Sequence, residues 1–156
     1  MAGGGRMIYL VHHADALPPE ADPQRPLSGV GRTSADLLAK DAAGRGIKPA
    51  AIWHSGKLRA RQTAEAFLRA CNPLATFSAI RGLQPGDPPE WIRDLIAGET
   101  REVMLVGHMP HLPKLYAMLL GGDESRRVEF PQHGLVALEP AESLWSESFR
   151  IESFRT

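Results

Sequence analysis

Two short apolar runs in this chain stop abruptly at histidine. Met7 to Val11 runs M-I-Y-L-V and gives way to His12, His13, Ala14 and Asp15; far along the chain, Met104 to Val106 runs M-L-V and gives way to Gly107, His108, Met109 and Pro110. An uninterrupted apolar run of this length, bounded by turn residues, suits a strand buried on both faces. α/β sheets hold ligands just outside the carboxyl ends of such strands. The histidines at the two strand ends are therefore expected to meet.

The chain between and around these runs alternates strand and helix signals. Strand 1 is predicted over about Met7 to His12, and the Pro- and Asp-rich segment Ala16 to Pro26 is a loop over the sheet's carboxyl edge. Ser28 is the expected N-cap of a crossover helix with apolar positions Val30, Ala35, Leu37, Leu38 and Ala42, stopped by Gly44 and Gly46. A second strand, Ala50 to His54, precedes a helix over Leu58 to Ala70 with Leu58, Ala60, Ala64, Phe67 and Leu68 toward the core. A short strand near Ala75 to Ser78, a loop at Leu83 to Pro89 and a helix from Glu90 to Ala97 follow. The fourth strand covers Glu102 to Val106, and the next helix runs from His111 to Leu120 and ends at Gly121 and Gly122. The tail changes character: Arg127 to Phe130, Gly134 to Glu139 and Leu144 to Phe154 alternate or carry aromatics, as antiparallel edge strands do. The implied architecture is a three-layer αβα sandwich, mainly parallel, with antiparallel edge strands.

Composition limits what such a site can be. A chain of 156 residues favours one domain, here Met7 to Thr156, after a glycine-rich lead-in from Met1 to Arg6. Basic and acidic residues balance at 18 each, which gives no global field for nucleic acid or an anionic membrane. Any anion selectivity must be local. The single cysteine, Cys71, offers neither an internal disulfide nor metal-ligand spacing, and no apolar run is long enough for a signal core or a membrane span. A soluble, cytoplasmic protein is the expectation.

The predicted sheet gathers His12, His13 and Asp15 from strand 1, Ser55 and Arg59 from the end of strand 2, and His108 from strand 4. Arginine supplies a planar fork of donors and a charged imidazole adds another, a combination suited to a tetrahedral oxyanion. The cleft is therefore expected to bind phosphate.

These residues resemble the histidine phosphatase, or phosphoglycerate-mutase-like, superfamily. The shared pattern is a histidine triad after strand 1, here H-H-A at His12 to Ala14, then S-G-K-L-R-A-R-Q-T-A from Ser55 to Ala64, and G-H-M-P from Gly107. R-P-L-S-G-V-G at Arg25 to Gly31 and L-Q-P-G-D at Leu83 to Asp87 resemble the short SixA-type phosphohistidine phosphatases in particular. The resemblance implies a phosphoglycerate-mutase-like fold and His13 as nucleophile, forming a phosphohistidine that water then hydrolyses. Arg59 and His108 would hold the phosphoryl oxygens, with His12, Ser55 and Arg25 as further phosphate ligands and no metal or cofactor. The implied substrate is a phosphorylated protein carrying phosphohistidine, or a small phosphoester. The family places arginine immediately before its nucleophile; this chain has His12, a shorter side chain whose charge depends on pH. Asp15 is the candidate general acid, with Asp87 a second carboxylate in reach of the cleft; a phosphoramidate needs less help, because an imidazole leaving group can already carry its proton.

Several residues carry plainer expectations. His54 is taken as a satisfied strand histidine, His111 as a first-turn helix residue near the pocket, and His133 as either lining the cleft or ending a loop; none is placed in the core site. Arg25 is balanced between phosphate contact and plain surface, Ser55 between phosphate donor and helix cap, and Trp53 and Trp91 are expected to fill the core. Three functions stay open: a phosphatase working through phosphohistidine, a degenerate phosphatase that binds a phosphorylated partner with little turnover, and a metal-dependent hydrolase built on His12, His13, Asp15, His108 and His111. The last ranks lowest, because adjacent histidines rarely aim both rings at one ion.

Overall fold

The computed structural model describes residues 6–121, 129–141 and 144–151, and of residues 140–141 and 144–151 it describes the backbone alone. The chain forms β1 (Ile8–His12), α1 (Gly29–Gly44), β2 (Ala51–His54), α2 (Leu58–Cys71), β3 (Thr76–Ala79), α3 (Pro89–Ala97), β4 (Val103–Gly107), α4 (His111–Leu119), β5 (Leu135–Ala141) and β6 (Leu144–Ile151). These build one six-stranded sheet in the order β3-β2-β4-β1-β5-β6. The β1, β2, β3 and β4 pairings are parallel; β5 runs antiparallel to β1, and β6 to β5.

This order explains the layers. From β1 the chain steps outward to β2 and β3, then turns back to place β4 between β2 and β1. Right-handed crossovers in opposite directions must lie on opposite faces. So α1 and α2 cover one face, packing Ala35, Leu38, Ala64 and Phe67 against Tyr9, Val11, Ile52 and Met104. On the other face, Ile92, Ile96, Leu112 and Leu115 of α3 and α4 pack against Ile8, Leu10, Trp53 and Leu105. Every residue of β1 and β4 is buried, which is why both read as unbroken apolar runs rather than as alternation. The direction of travel reverses between β1 and β4, and in open α/β sheets that reversal opens a crevice at the strand carboxyl ends.

Some expectations need correction. Of the apolar positions that mark α1, Ala35, Leu38 and Ala42 are buried, with Gly31 and Ala39 between them, whereas Val30 and Leu37 lie on the flanks at 54% and 42% exposed. Trp91 does not fill the core; it is 43% exposed, with the Arg81 guanidinium 4.7 Å above its ring in a cation–π contact. Arg6, counted in the lead-in, donates from Nη2 to the Ile96 carbonyl at 2.8 Å and so belongs to the packed structure. Glu129 and Phe130 are not in a strand, and Arg127, Val128 and Gly122 lie outside the described residues. Cys71 is a buried free thiol late in α2, pushed up to about 11 by burial.

Gly31 shows how the first loop is fastened to α1. Ser28 caps the helix by accepting from the Gly31 N–H at 3.0 Å, and its own N–H donates to the Asp15 carbonyl at 3.0 Å. A Cβ at position 31 would collide with that same Asp15 carbonyl, which is backbone and cannot swing aside. Gly31→Ala is therefore expected to lower stability by about 1–3 kcal/mol and to displace the segment after His13, reducing activity as well. Urea unfolding and turnover of the variant check both effects.

Candidate functional site at the strand carboxyl ends

Backbone hydrogen bonds bring the two histidine segments together. His12 stands opposite Gly107 in the β1–β4 register; the His13 N–H donates to the Gly107 carbonyl at 3.1 Å, and the His12 N–H donates to the Gly134 carbonyl at 3.0 Å. His12 and His13 are thus clamped between the ends of β4 and the start of β5. The ring centroids of His13 and His108 are 5.1 Å apart, and those of His12 and His13 are 4.5 Å apart.

The Q-T-A segment of α2 has a mechanical explanation. Thr63 is buried and accepts from the Ala14 N–H at 3.0 Å while donating to the Arg59 carbonyl at 2.9 Å; Gln62 accepts from the Leu27 N–H at 2.7 Å. Ala64 is fully buried in the core on that face of the sheet. Gln62 and Thr63 tie the loop after β1 to the helix that carries Arg59.

His12 and His13 each have the proton placed by a backbone partner. His13 Nδ1 lies 2.7 Å from the Ala14 carbonyl, an atom that only accepts, so Nδ1 carries the hydrogen and Nε2 keeps its lone pair. His12 Nδ1 lies 2.8 Å from the His133 N–H, a group that only donates, so in the neutral ring the hydrogen is on Nε2. His108 Nε2 is 2.6 Å from the Ser55 hydroxyl, and the Lys57 N–H reaches that same oxygen at 3.3 Å. His108 Nδ1 and Arg59 Nε are buried with no partner among the described residues. An unmet buried donor or acceptor costs about 1–3 kcal/mol, so both groups hold hydrogen-bonding capacity in reserve.

Electrostatically the cleft has one sign. Burial, followed by His13, His133, His108 and Arg59, lowers His12 to about 2. Burial lowers His13 to about 4, aided by Arg59, His133 and Arg25 and partly opposed by the Ala14 hydrogen bond. Burial lowers His108 to about 3, with His13, Arg59, Lys57 and His111 adding to it. Arg59 is itself lowered by burial and by Arg25, though a guanidinium stays charged at any ordinary pH. The charged groups that weigh most on these three imidazoles are basic, Arg59, Arg25 and Lys57 among them. Such a site favours an anion.

The shifts also set acid stability. Below the ordinary imidazole value of about 6.5, the unfolded chain binds protons that these three buried rings refuse. Their contribution is complete above about pH 6.5 and is lost as pH falls from there toward 4, each ring contributing a slope of up to about 1.4 kcal/mol per pH unit. Urea unfolding at neutral and mildly acidic pH is expected to show this loss.

The remaining predicted residues are placed as follows. Ser55 is buried and bonds His108, so its hydroxyl positions that ring. Arg25, at φ +51, donates from Nε to the Leu17 carbonyl at 2.9 Å and lies near enough to affect both His13 and Arg59. Asp15 is exposed, and its carboxylate accepts from the Ser28 hydroxyl at 2.6 Å, a contact it would have to release to serve as an acid. Asp87 accepts from the Gln84 N–H at 3.0 Å and closes its own turn. His54 is buried, accepting from the Gly56 N–H at 3.0 Å, and His111 is buried in the first turn of α4.

The residue left out of the core site is His133. Its ring stacks on His12 with centroids 4.8 Å apart and planes at 7°, its Nδ1 donates to the His13 carbonyl at 2.7 Å, and it sits 6.1 Å from the His13 ring. The sequence marks an antiparallel edge strand just after His133 but not its neighbour; the pairing of β5 with β1 through Val11 and Leu135 sets the residues just before Leu135 beside His12 and His13.

Known proteins share this fold and these motifs. The model of the histidine phosphatase superfamily (branch 1) matches residues 8–87. An uncharacterised protein of Picosynechococcus sp. is 29% identical over 138 residues, covering 84% of this chain and 83% of its own. A crystal structure from Agrobacterium tumefaciens, assigned as the phosphohistidine phosphatase SixA, is 32% identical with a TM-score of 0.73, covering 87% of this chain and 92% of that one. The protein histidine phosphatase SixA complexed with tungstate shares the fold at 22% identity and a TM-score of 0.74, over 93% of this chain and 94% of its own. The family model across more than half of the chain and a relative at 32% identity over 87% of it together establish that this chain belongs to the histidine phosphatase superfamily.

Proposed function

We propose that this protein is a phosphohistidine phosphatase that works through a covalent phosphoryl group on His13. The observation that carries the reading is the His13 tautomer: the Nδ1–H bond to the Ala14 carbonyl leaves the Nε2 lone pair free, beside His108 and Arg59. In the first step Nε2 attacks phosphorus and forms a P–N bond as the P–N bond to the substrate imidazole breaks; that imidazole leaves with the proton it already carries. In the second step water attacks the same phosphorus, the bond to His13 breaks, and phosphate leaves. Arg59 and His108 stabilise charge on the phosphoryl oxygens in both steps.

Two features support a phosphoramidate over an ester. The charged groups that weigh most on His12, His13 and His108 are basic, whereas an alkoxide leaving group requires a proton donor in the transition state. The names of the SixA relatives point the same way. A second reading, binding with little turnover, is favoured by His12, which is neutral where the superfamily's arginine would be a fixed cation. Incubating the protein with a phosphohistidine peptide and with a chromogenic phosphate monoester, with and without EDTA, separates the cases. Release of phosphate from the peptide in both conditions, faster than from the ester, is expected. Oxyanion binding without release would favour the second reading, and loss of activity in chelator would favour a metal hydrolase.

A further inference from the structure

The superfamily's arginine is missing from the first motif, yet the space around His12 is not simply depleted, because His133 comes in from the loop before β5. The two rings are stacked and joined through backbone groups, and those groups allot their protons differently. The His133 N–H donates to His12 Nδ1 at 2.8 Å. Adding a proton to that nitrogen would set two hydrogens against each other and strand the backbone donor. His12 can therefore offer one hydrogen, at Nε2, and no charge without breaking this contact. On His133 the arrangement is reversed. Nδ1 already carries its hydrogen toward the His13 carbonyl at 2.7 Å, so Nε2 can accept a proton without disturbing any bond.

We infer that the stacked pair replaces one guanidinium when a tetrahedral oxyanion occupies the cleft: His12 donates from Nε2–H as a neutral ring, and His133 takes up the proton and becomes the cation. The inference rests on reading the cleft as a phosphoryl site. One ring nitrogen each from His12, His13 and His133 lies within 4.8 Å of the other two, a spacing that a single oxyanion can span. The same trio is a poor set of metal ligands, since neutral His12 has already committed the lone pair of Nδ1 and has none at Nε2. Around the pair stand His13 just after β1, His108 after β4, Arg59 on α2 and Arg25 in the first loop. A dianion bound among these groups favours an added proton on the ring that can accept one. Proton uptake and anion binding are thus linked, and the cleft becomes pH-gated where an arginine would have been indifferent to pH.

The test uses the full chain with dilute tungstate, which stays a dianion from mildly alkaline to mildly acidic pH. Histidine-selective 15N NMR should show both His133 nitrogens protonated only when tungstate is bound, with His12 remaining the Nε2–H tautomer throughout. A doubly protonated His12, or a His133 still neutral in the complex, overturns the inference. In parallel, tungstate affinity should rise about tenfold per unit fall in pH from this one proton, and His133→Asn should remove that dependence. Asparagine tolerates the φ of +54 at this position and preserves the backbone N–H on which His12 depends. A variant with the wild-type pH dependence overturns the inference while leaving the phosphatase reading intact. Failure of the wild-type protein to bind tungstate at any pH would overturn both.

Discussion

His13→Ala is expected to reduce turnover on the order of 10⁴-fold or more while leaving fold and oxyanion binding nearly unchanged. The separation follows from where the residue's bonds lie. The links that hold the β1 end in place are backbone links: the His13 N–H to the Gly107 carbonyl, and the His13 carbonyl to His133 Nδ1. Alanine keeps both. Arg59 and His108 also remain, so tungstate should still bind to the variant. What disappears is the nitrogen that becomes covalently attached to phosphorus, and no other imidazole in the cleft has the same free Nε2 in the same place. Steady-state turnover beside tungstate affinity and thermal unfolding reads the three quantities separately. A fall in affinity as large as the fall in turnover would mean that His13 binds rather than attacks.

The second large effect goes the other way. His12→Arg is expected to raise turnover by up to about 10²-fold, the reverse of losing one charged donor worth about 3 kcal/mol of transition-state stabilisation. The gain should be greatest on the alkaline side, where no imidazole in the cleft carries charge, and the pH profile should flatten. The substitution also removes the acceptor of the His133 N–H, which offsets part of the benefit by about 1 kcal/mol. A pH–rate profile of the variant against wild type measures both size and shape. An unchanged rate would show that the cleft already has a full complement of donors.

How much of this was legible in the sequence depends on whether the relevant contacts are periodic. The unbroken apolar runs of β1 and β4 announced central parallel strands, and their shared fate at a sheet's carboxyl edge brought His13 and His108 together before any coordinates. Ser28 as cap and the stop near Gly44 followed from local chemistry alone. Which of the apolar positions of α1 are buried was not legible, because an apolar residue beside the buried stripe of a helix, such as Val30 or Leu37, looks the same in sequence as one within it. Trp91 was misplaced because its partner, Arg81, lies across a turn and carries no periodic signal. His133 is the instructive case. It occupies a left-handed turn far from His12 along the chain, and only the antiparallel pairing of β5 with β1 brings the two rings together. Ser55 shows a different limit: its hydroxyl accepts from the Lys57 N–H at the start of α2, in keeping with the helix-end expectation, but its bond to His108 had no signal in the sequence.

The central claim is that His13 Nε2 attacks phosphorus. The most direct measurement is a rapid quench of the protein during turnover of a phosphohistidine peptide, followed by peptide mapping under alkaline conditions, where phosphohistidine survives. The expected result is a phosphoryl group on His13 that is stable to alkali, lost in acid and absent from His13→Ala. Sustained turnover with no such adduct, or an adduct that persists after His13 is replaced, would contradict the account.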